Sequence, residues 1–312
     1  MSKYVLYGAG NYGKRIIRML RDEASYFCDN NISEGTIVEG VKVISPETLK
    51  QIKDDHSVLI TVADSNSVEE IAQFLNKEKI SFMTLDQAIE KGCIDREELK
   101  LESELDYWRN RYVAEEGQFT NLHYKKLMLS IAGEEDDSFL RDKVVIDFGC
   151  GPRGSLTWMT APMTKIGVDV LASRYAEQFG DNLIKHDMVY VTSSENCIPI
   201  PDGYSDCVIT INSLDHVRDL DKMCSELLRI LKPGGILLGS FNLNEPKTEC
   251  EPQTLTESLL EDKLLSFFDI SSYRIALQGE KNEQFINMYN RNYAEGSDKA
   301  KPCYLWVRGI KK

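Results

Sequence analysis

A chain of 312 residues is long enough for two domains of ordinary size, and its 42% hydrophobic and 28% charged residues are the balance of a globular rather than a disordered protein. The net charge of -13 argues against nucleic acid and anionic membranes as partners, because proteins that bind them concentrate Lys and Arg. A cytoplasmic location is expected, since the N-terminal stretch MSKYVLYGAG lacks a long apolar run and no later window reaches 18 apolar residues without charge.

Residues 3–85 alternate short apolar runs with helix-like segments: KYVLYG, NYGKRIIRML, ASYFCDN, PETLKQIK, SVLITVAD, SVEEIAQFLNKE and ISFMTL. That alternation predicts a small parallel α/β unit. In the last helix Val68, Ile71 and Leu75 recur at helical spacing, as one buried face requires. Strand signals vanish between residues 86 and 141. Leu101, Leu105, Trp108 and Tyr112 step by 4, 3 and 4, which predicts a long helix beginning near Asp95. Tyr124, Leu127 and Ile131 mark a second helix that ends at Gly133. This stretch reads as a helical connector, serving either as a lid over the next domain or as packing alone.

From Lys143 the alternation returns as KVVIDFG, TKIGVDV, VYVTSS and DCVITIN, then the helix DLDKMCSELLRILK, with Lys232, Pro233, Gly234 and Gly235 as a turn before the strand ILLGSFN. A helix, LTESLLEDKLLSFF, and two strands, DISSYRIAL and CYLWVRGIKK, complete the chain. The eight cysteines contain no C-x-x-C pair, so reduced, mostly buried thiols are expected and no metal is assigned.

Two glycine turns share the spacing G-x-G-x-x-G: VLYGAGNYG and VVIDFGCGPRG. A dinucleotide turn sets backbone N–H groups and a helix N-terminus against a pyrophosphate, which a nearby carboxylate repels. The first turn has Leu6 two residues before Gly8, and Asp29 follows at the end of the next predicted strand, within reach of a ribose hydroxyl. Gly8, Gly10, Gly13 and Asp29 are thus compatible with a nucleotide, or with a glycine turn that only closes helix onto strand. The second turn has Asp147 two residues before Gly149, which disfavours phosphate and favours a cationic ligand such as S-adenosylmethionine. Gly149 and Gly151 bare the backbone there, and Asp169 is placed to accept ribose hydroxyls.

VVIDFGCGPRG, IGVD and the run from IPIPDGYSDCVITINSLDHV to LKPGG resemble class I S-adenosylmethionine-dependent methyltransferases of the small-molecule branch over residues 141–245. The resemblance implies a seven-stranded sheet with its last strand reversed, S-adenosyl-L-methionine as cofactor, and ligand binding at the carboxyl ends of the strands. It implies Asp147, Gly149, Cys150 and Gly151 at the methionine part of the cofactor, and Asp169 with Val170 at the ribose. Ser194 and Glu195 fall to the adenine, with Asp187 competing, while Asn212 and Leu214 border the reacting methyl group.

A hydroxyl acceptor must lose a proton, and His216 is the candidate base, with Asp215 orienting the imidazole or taking the proton itself. The alternative is that both shape the loop and cap the helix beginning near Asp219. The absence of N-P-P-Y at this strand end counts against N-methylation of amides or adenine. Arg153 either holds an anionic substrate or is structural. Trp108, Arg109 and Tyr112 either close over the cofactor or pack between domains.

Residues 1–85 resemble the small Rossmann-like domain in front of bacterial sugar acyltransferases and other surface-glycan enzymes, which implies a nucleotide-sugar ligand. The organisation read here is therefore α/β with two Rossmann-like domains: 1–90 as the nucleotide-binding-like domain, 91–140 as connector, and 141–312 as a seven-stranded class I methyltransferase domain. The leading function is methyl transfer to a small acceptor, a sugar or nucleotide-linked sugar hydroxyl, by a chain that also has homo-oligomer formation open to it. The alternatives are a nucleotide-sensing protein without chemistry, and an NAD-dependent enzyme working through the first domain. No Tyr-Lys or His-Asp constellation follows the first turn to support the latter.

Overall fold

The computed structural model describes residues 3–280, 283–297 and 301–312. It divides into two compact units, Met1–Asp106 and Tyr107–Lys312.

In the first unit the elements are β1 (Lys3–Tyr7), α1 (Asn11–Leu20), β2 (Ala24–Cys28), β3 (Ile37–Val38), β4 (Val41–Ile44), α2 (Pro46–Ile52), β5 (His56–Ile60), α3 (Ser65–Lys77), β6 (Phe82–Met83) and α4 (Leu85–Glu90). Helix α5 (Arg96–Ala114) starts here and carries the division between residues 106 and 107. The sheet order is β3-β4-β2-β1-β5-β6, parallel throughout except for the β3–β4 hairpin. Both faces are covered: Leu6 packs with Ile16, Phe27 and Leu99 on one side, while Val5 and Tyr7 pack with Leu49, Ile71 and Leu75 on the other. Strands buried on two faces read as near-continuous apolar runs, as KYVLY and SVLI do. Helix starts follow local chemistry. The Ser45 hydroxyl and the Asp64 carboxylate accept from Thr48 and Ser67 N–H, and Asp95 accepts from Glu97 and Glu98 N–H at the head of α5.

The second unit contains α6 (His123–Ala132), β7 (Val144–Phe148), β8 (Thr164–Asp169), α7 (Ala172–Leu183), β9 (Val189–Thr192), β10 (Ser205–Ile211), α8 (Leu220–Ile230), β11 (Leu231–Leu243), α9 (Glu257–Lys263), β12 (Phe268–Leu277), α10 (Ile286–Tyr289) and β13 (Cys303–Lys311). Seven strands run in the order β12-β13-β11-β10-β7-β8-β9, with β13 antiparallel to both its neighbours and every other pair parallel. This is the seven-stranded sheet with its last strand reversed that the resemblance implied. After β7 the chain turns to β8 on one side and returns to β10 on the other, so a crevice opens at the carboxyl ends of β7 and β10.

Helix α6 belongs to this unit's core. Leu127, Met128 and Ile131 pack with Val145, Ile209 and Trp306. Its end is closed by Gly133 in the left-handed conformation and by guanidinium groups: Arg274 donates to Ser130 and Ile131 carbonyls, Arg308 to Ala132.

One expected boundary is corrected. The Lys232–Gly235 stretch is not a free turn between helix and strand but lies inside β11, where the pairing with β10 shifts register between Ser205 and Cys207. Helix α8 ends at Ile230 because Leu231 already adopts an extended backbone.

Glu226 on α8 fastens the approach to the site. Its carboxylate accepts from Arg229 and from Ile198 N–H, all at 2.8 Å. The Arg229 contacts hold its carboxyl down to about 2, against the opposing effect of burial. That stability is present above the ordinary glutamate range and is lost as pH falls toward 2. Glu226→Gln is therefore expected to cost about 2 kcal/mol at neutral pH. In denaturation curves its gap to the wild type should close between about pH 4.5 and 2.

Candidate functional site

Strand β7 is buried along its whole length and ends in the glycine turn. Gly149 and Gly151 have φ of 72° and 57°, a region costly for residues with a Cβ. The space is closed as well. A Cβ on Gly149 would stand 2.2 Å from Ser213 Cβ, and one on Gly151 would stand 2.7 Å from the Trp108 ring. Ser213, just after β10, donates its hydroxyl to the Phe148 carbonyl at 2.9 Å and so pins the two strand ends together.

Asp147 is 3% exposed and accepts the Ser155 hydroxyl. Burial pushes its carboxyl up to about 7, with the Ser155 bond opposing and the charge of Asp169 adding to the rise. A buried carboxyl in this state is an electrostatic deficit that a cation relieves. Asp169, at the end of β8, accepts Gly151 N–H on Oδ2 at 3.0 Å and Leu171 N–H on Oδ1 at 2.9 Å. It thereby holds the glycine turn against β8, and Val170 follows it half-buried. Cys150 offers the crevice only backbone, since its Sγ packs on Gly167.

After β9, the Ser194 hydroxyl donates to the Cys197 carbonyl at 3.4 Å, and Glu195 accepts Arg218 N–H at 3.0 Å, which joins this segment to the loop following β10. Asp187 stands on the surface, paired with Lys165 at 3.0 Å. Asn212 has a φ of 48° and is locked to β11, its N–H donating to the Ser240 carbonyl and its side chain accepting the Ser240 hydroxyl, both at 2.8 Å. Leu214 is fully buried in the core beside Val168 and Ile198. Asp215 is buried and His216 partly exposed; His216 Nε2 lies 3.9 Å from Glu251 Oε1.

Arg153 is buried and engaged. Its guanidinium binds Glu115 and the Thr120 carbonyl and lies over the Trp108 and Phe119 rings. Tyr112 accepts a hydrogen bond from Asn182 at 3.0 Å and packs on Phe119 and Phe179, while Arg109 binds Gln178 at 2.7 Å. The segment from Trp108 to Asn121 is thus strapped over the glycine turn within this unit. Sequence reasoning missed Ser155 and Tyr190. Ser155 contacts Asp147 directly, and the Tyr190 hydroxyl, paired with His186 at 2.7 Å, is pushed up by burial and then by the nearby Cys150 and Asp147. Neither carries a spacing signal.

In the first unit, Asp29 Oδ2 accepts Ala9 N–H at 2.9 Å and Oδ1 accepts Asn31 N–H at 2.8 Å. The device is the one Asp169 uses: an acid after the second strand ties back to the glycine turn. Gly8 is a neighbour of Thr61, whose hydroxyl donates to its carbonyl at 2.8 Å. A Cβ on Gly13 would stand 2.0 Å from the Gly8 carbonyl oxygen, so α1 sits directly on the turn, whereas Gly10 faces open space.

A bare backbone at two glycines, a buried acid at β7 and an acid at the end of β8 fit a ligand that joins a cationic amino acid to a ribose. Residues 146–239 match the family described as Methyltransferase domain. That stretch lies within the second unit, and the match indicates S-adenosyl-L-methionine as the cofactor.

Among curated proteins the chain is similar to the ubiquinone/menaquinone biosynthesis C-methyltransferase UbiE of Francisella tularensis subsp. tularensis, 28% identical over 131 residues, 42% of this chain and 47% of that protein. It is also similar to UbiE of Serratia proteamaculans, 39% identical over 62 residues, 20% of this chain and 25% of that protein. The chain thus spans half or less of the length of these relatives. Among solved structures, a SAM-dependent methyltransferase from Thermotoga maritima is 17% identical with a TM-score of 0.45, over 68% of this chain and 99% of that one. No helix among the described residues is long and apolar enough to cross a membrane.

Proposed function

We propose that this chain transfers the methyl group of S-adenosyl-L-methionine to a hydroxyl of a small acceptor, a sugar or nucleotide-linked sugar in cytoplasmic surface-glycan metabolism. The observation that carries the reading is the methyltransferase-domain match across a glycine turn whose buried Asp147 is poised for a cation. When bound, the cofactor supplies a methyl group already activated by positive sulfur, so the protein's task is alignment and exclusion of water. Asp147 neutralises the cationic part, Gly149 and Gly151 admit it to the backbone, and Asp169 with Val170 holds the ribose. Ser194 and Glu195 flank the adenine, and Asn212 borders the methyl group. The imidazole of His216 takes the acceptor's proton, with Asp215 beside it.

In the same reading residues 1–90 form a nucleotide-sugar site around Gly8, Gly10, Gly13 and Asp29, residues 91–140 connect, and residues 141–312 do the chemistry. The repeated acid-to-turn device supports a ligand at the first turn. Calorimetry with UDP-sugars and NADH tests it. UDP-sugar binding lost in Asp29→Ala, with S-adenosylmethionine binding unchanged, is the expected result; NADH binding lost in that variant would favour the oxidoreductase.

Methyl transfer is tested with methyl-13C cofactor and nucleotide-sugar acceptors, reading the product by NMR. A methoxy carbon is expected. A methyl on carbon would match what the names of the UbiE relatives say of those proteins and would refute the hydroxyl assignment, and release without any acceptor product would favour a sensor.

A further inference from the structure

The loop after β10 holds a donor set larger than the single base proposed above. Asp215 is 2% exposed. Its Oδ2 accepts the Asn242 amide at 3.1 Å, while its Oδ1 is buried with no hydrogen-bond partner among the described residues. Asn242 Oδ1, on the adjoining β11, is a second buried acceptor without a partner among the described residues. Leaving such groups unsatisfied is expensive, and native structures complete them with water, an ion or a ligand.

Beside Asp215, one donor atom each from Asp215, His216 and Glu251 lie within 4.8 Å of one another. Glu251 comes from a distant part of the chain and is held there by design of the loop. Gln253 donates its backbone N–H to the Asp215 carbonyl at 3.2 Å and its side-chain amide to the Val217 and Arg218 carbonyls at 3.0 and 2.8 Å. The Thr248 hydroxyl binds Glu251 Oε2 at 3.0 Å, which leaves Oε1 toward the His216 imidazole.

We propose that Asp215, His216 and Glu251 form a site for a divalent first-row transition cation, with Asn242 orienting Asp215. Bond lengths of about 2.1 Å place adjacent ligands about 3 Å apart and opposite ones about 4.2 Å apart, so side-chain rotations of under about 1 Å close this set on an ion. One imidazole with two carboxylates suits Mn2+ better than Mg2+, which prefers oxygen and water alone. With the ion bound, the His216 lone pair is committed to it and the imidazole serves as a base only in the ion-free protein; three protein ligands leave open positions at the edge of the crevice for water or an acceptor oxygen. Only that last consequence rests on the methyl-transfer reading; the ion site stands by itself.

The test uses the full chain stripped with EDTA and titrated with Mn2+, followed by electron paramagnetic resonance and calorimetry, with S-adenosylmethionine titrated in parallel. One ion per chain is expected, with affinity reduced at least tenfold in Glu251→Gln and in Asp215→Asn and unchanged in Glu249→Gln. Cofactor affinity in Glu251→Gln should stay within a few-fold of the wild type, which also shows that this partly exposed position is replaced without unfolding. No binding to the wild type at millimolar Mn2+, or binding that both ligand variants retain, overturns the proposal. So does a His216 proton resonance that titrates with a raised midpoint and ignores Mn2+, because the cluster would then be a plain imidazolium–carboxylate pair. Loss of cofactor binding alone leaves the ion result intact and counts against the methyl-transfer reading instead.

Discussion

Asp147→Asn should weaken S-adenosylmethionine binding about a hundredfold and, at the same time, stabilise the unliganded protein above neutral pH. Both effects come from one buried carboxyl. In the wild type its folded-state value of about 7 lies above the ordinary aspartate value of 3.8. The associated stability is therefore fully present below about pH 4 and is lost as pH rises through 7. Asparagine keeps an acceptor for the Ser155 hydroxyl but has no charge to desolvate. Above pH 7 the variant should gain on the order of 3 kcal/mol over the apo wild type. Denaturation at pH 5 and pH 8 checks this, and equal stability gaps at both would refute it. The cofactor side has its own pH signature. A cation draws the proton from Asp147, so affinity should rise roughly tenfold per unit up to about pH 7 and then level off, and binding at pH 6 should release close to one proton. Calorimetry in buffers of different ionisation enthalpy reads that release directly. The pH dependence should vanish in Asp147→Asn.

The second large effect is steric. Gly149→Ala adds a Cβ that would lie 2.2 Å from Ser213 Cβ, at a φ of 72°. The left-handed backbone costs about 1–2 kcal/mol and forced repacking of a closed interior about 1–3 more. Destabilisation of about 2–5 kcal/mol is expected, at its upper end enough to unfold a marginal domain. Because the obstacle is one named side chain, Ser213→Gly in the same protein should restore part of the loss, and a double variant no more stable than Gly149→Ala would place the strain elsewhere.

Much of the second unit was legible because its signals are contiguous. Asp147, Gly149 and Gly151 fall within one strand-and-turn segment, and Asp169 ends the next strand, so spacing alone brings them to one sheet edge. Side-chain direction was less legible. Cys150 stands between the two glycines, but its thiol turns back onto Gly167, and Leu214 enters the core beside the loop it follows. Local patterns failed where they were weak. The β3–β4 hairpin turns on Glu39 and Gly40, both at positive φ, a two-residue signal passed over in a charged stretch. Helix α7 is interrupted by the non-helical backbone of Phe179, which blurs its periodicity.

By itself the sequence determined two α/β units, most of the strands and helices of each, and a carboxylate just before the second glycine turn. These follow from period, turn residues and charge within a few positions of one another, which short-range sterics and hydrophobic burial enforce. Only the tertiary structure decided that Arg153 clamps the segment over that turn and that Asp147 is buried enough to titrate near neutrality. It alone brought Glu251 to His216, through the hold of Gln253 on the loop after β10. Burial, loop pairing and the meeting of distant side chains depend on how the whole chain closes, and no window of the sequence contains that information.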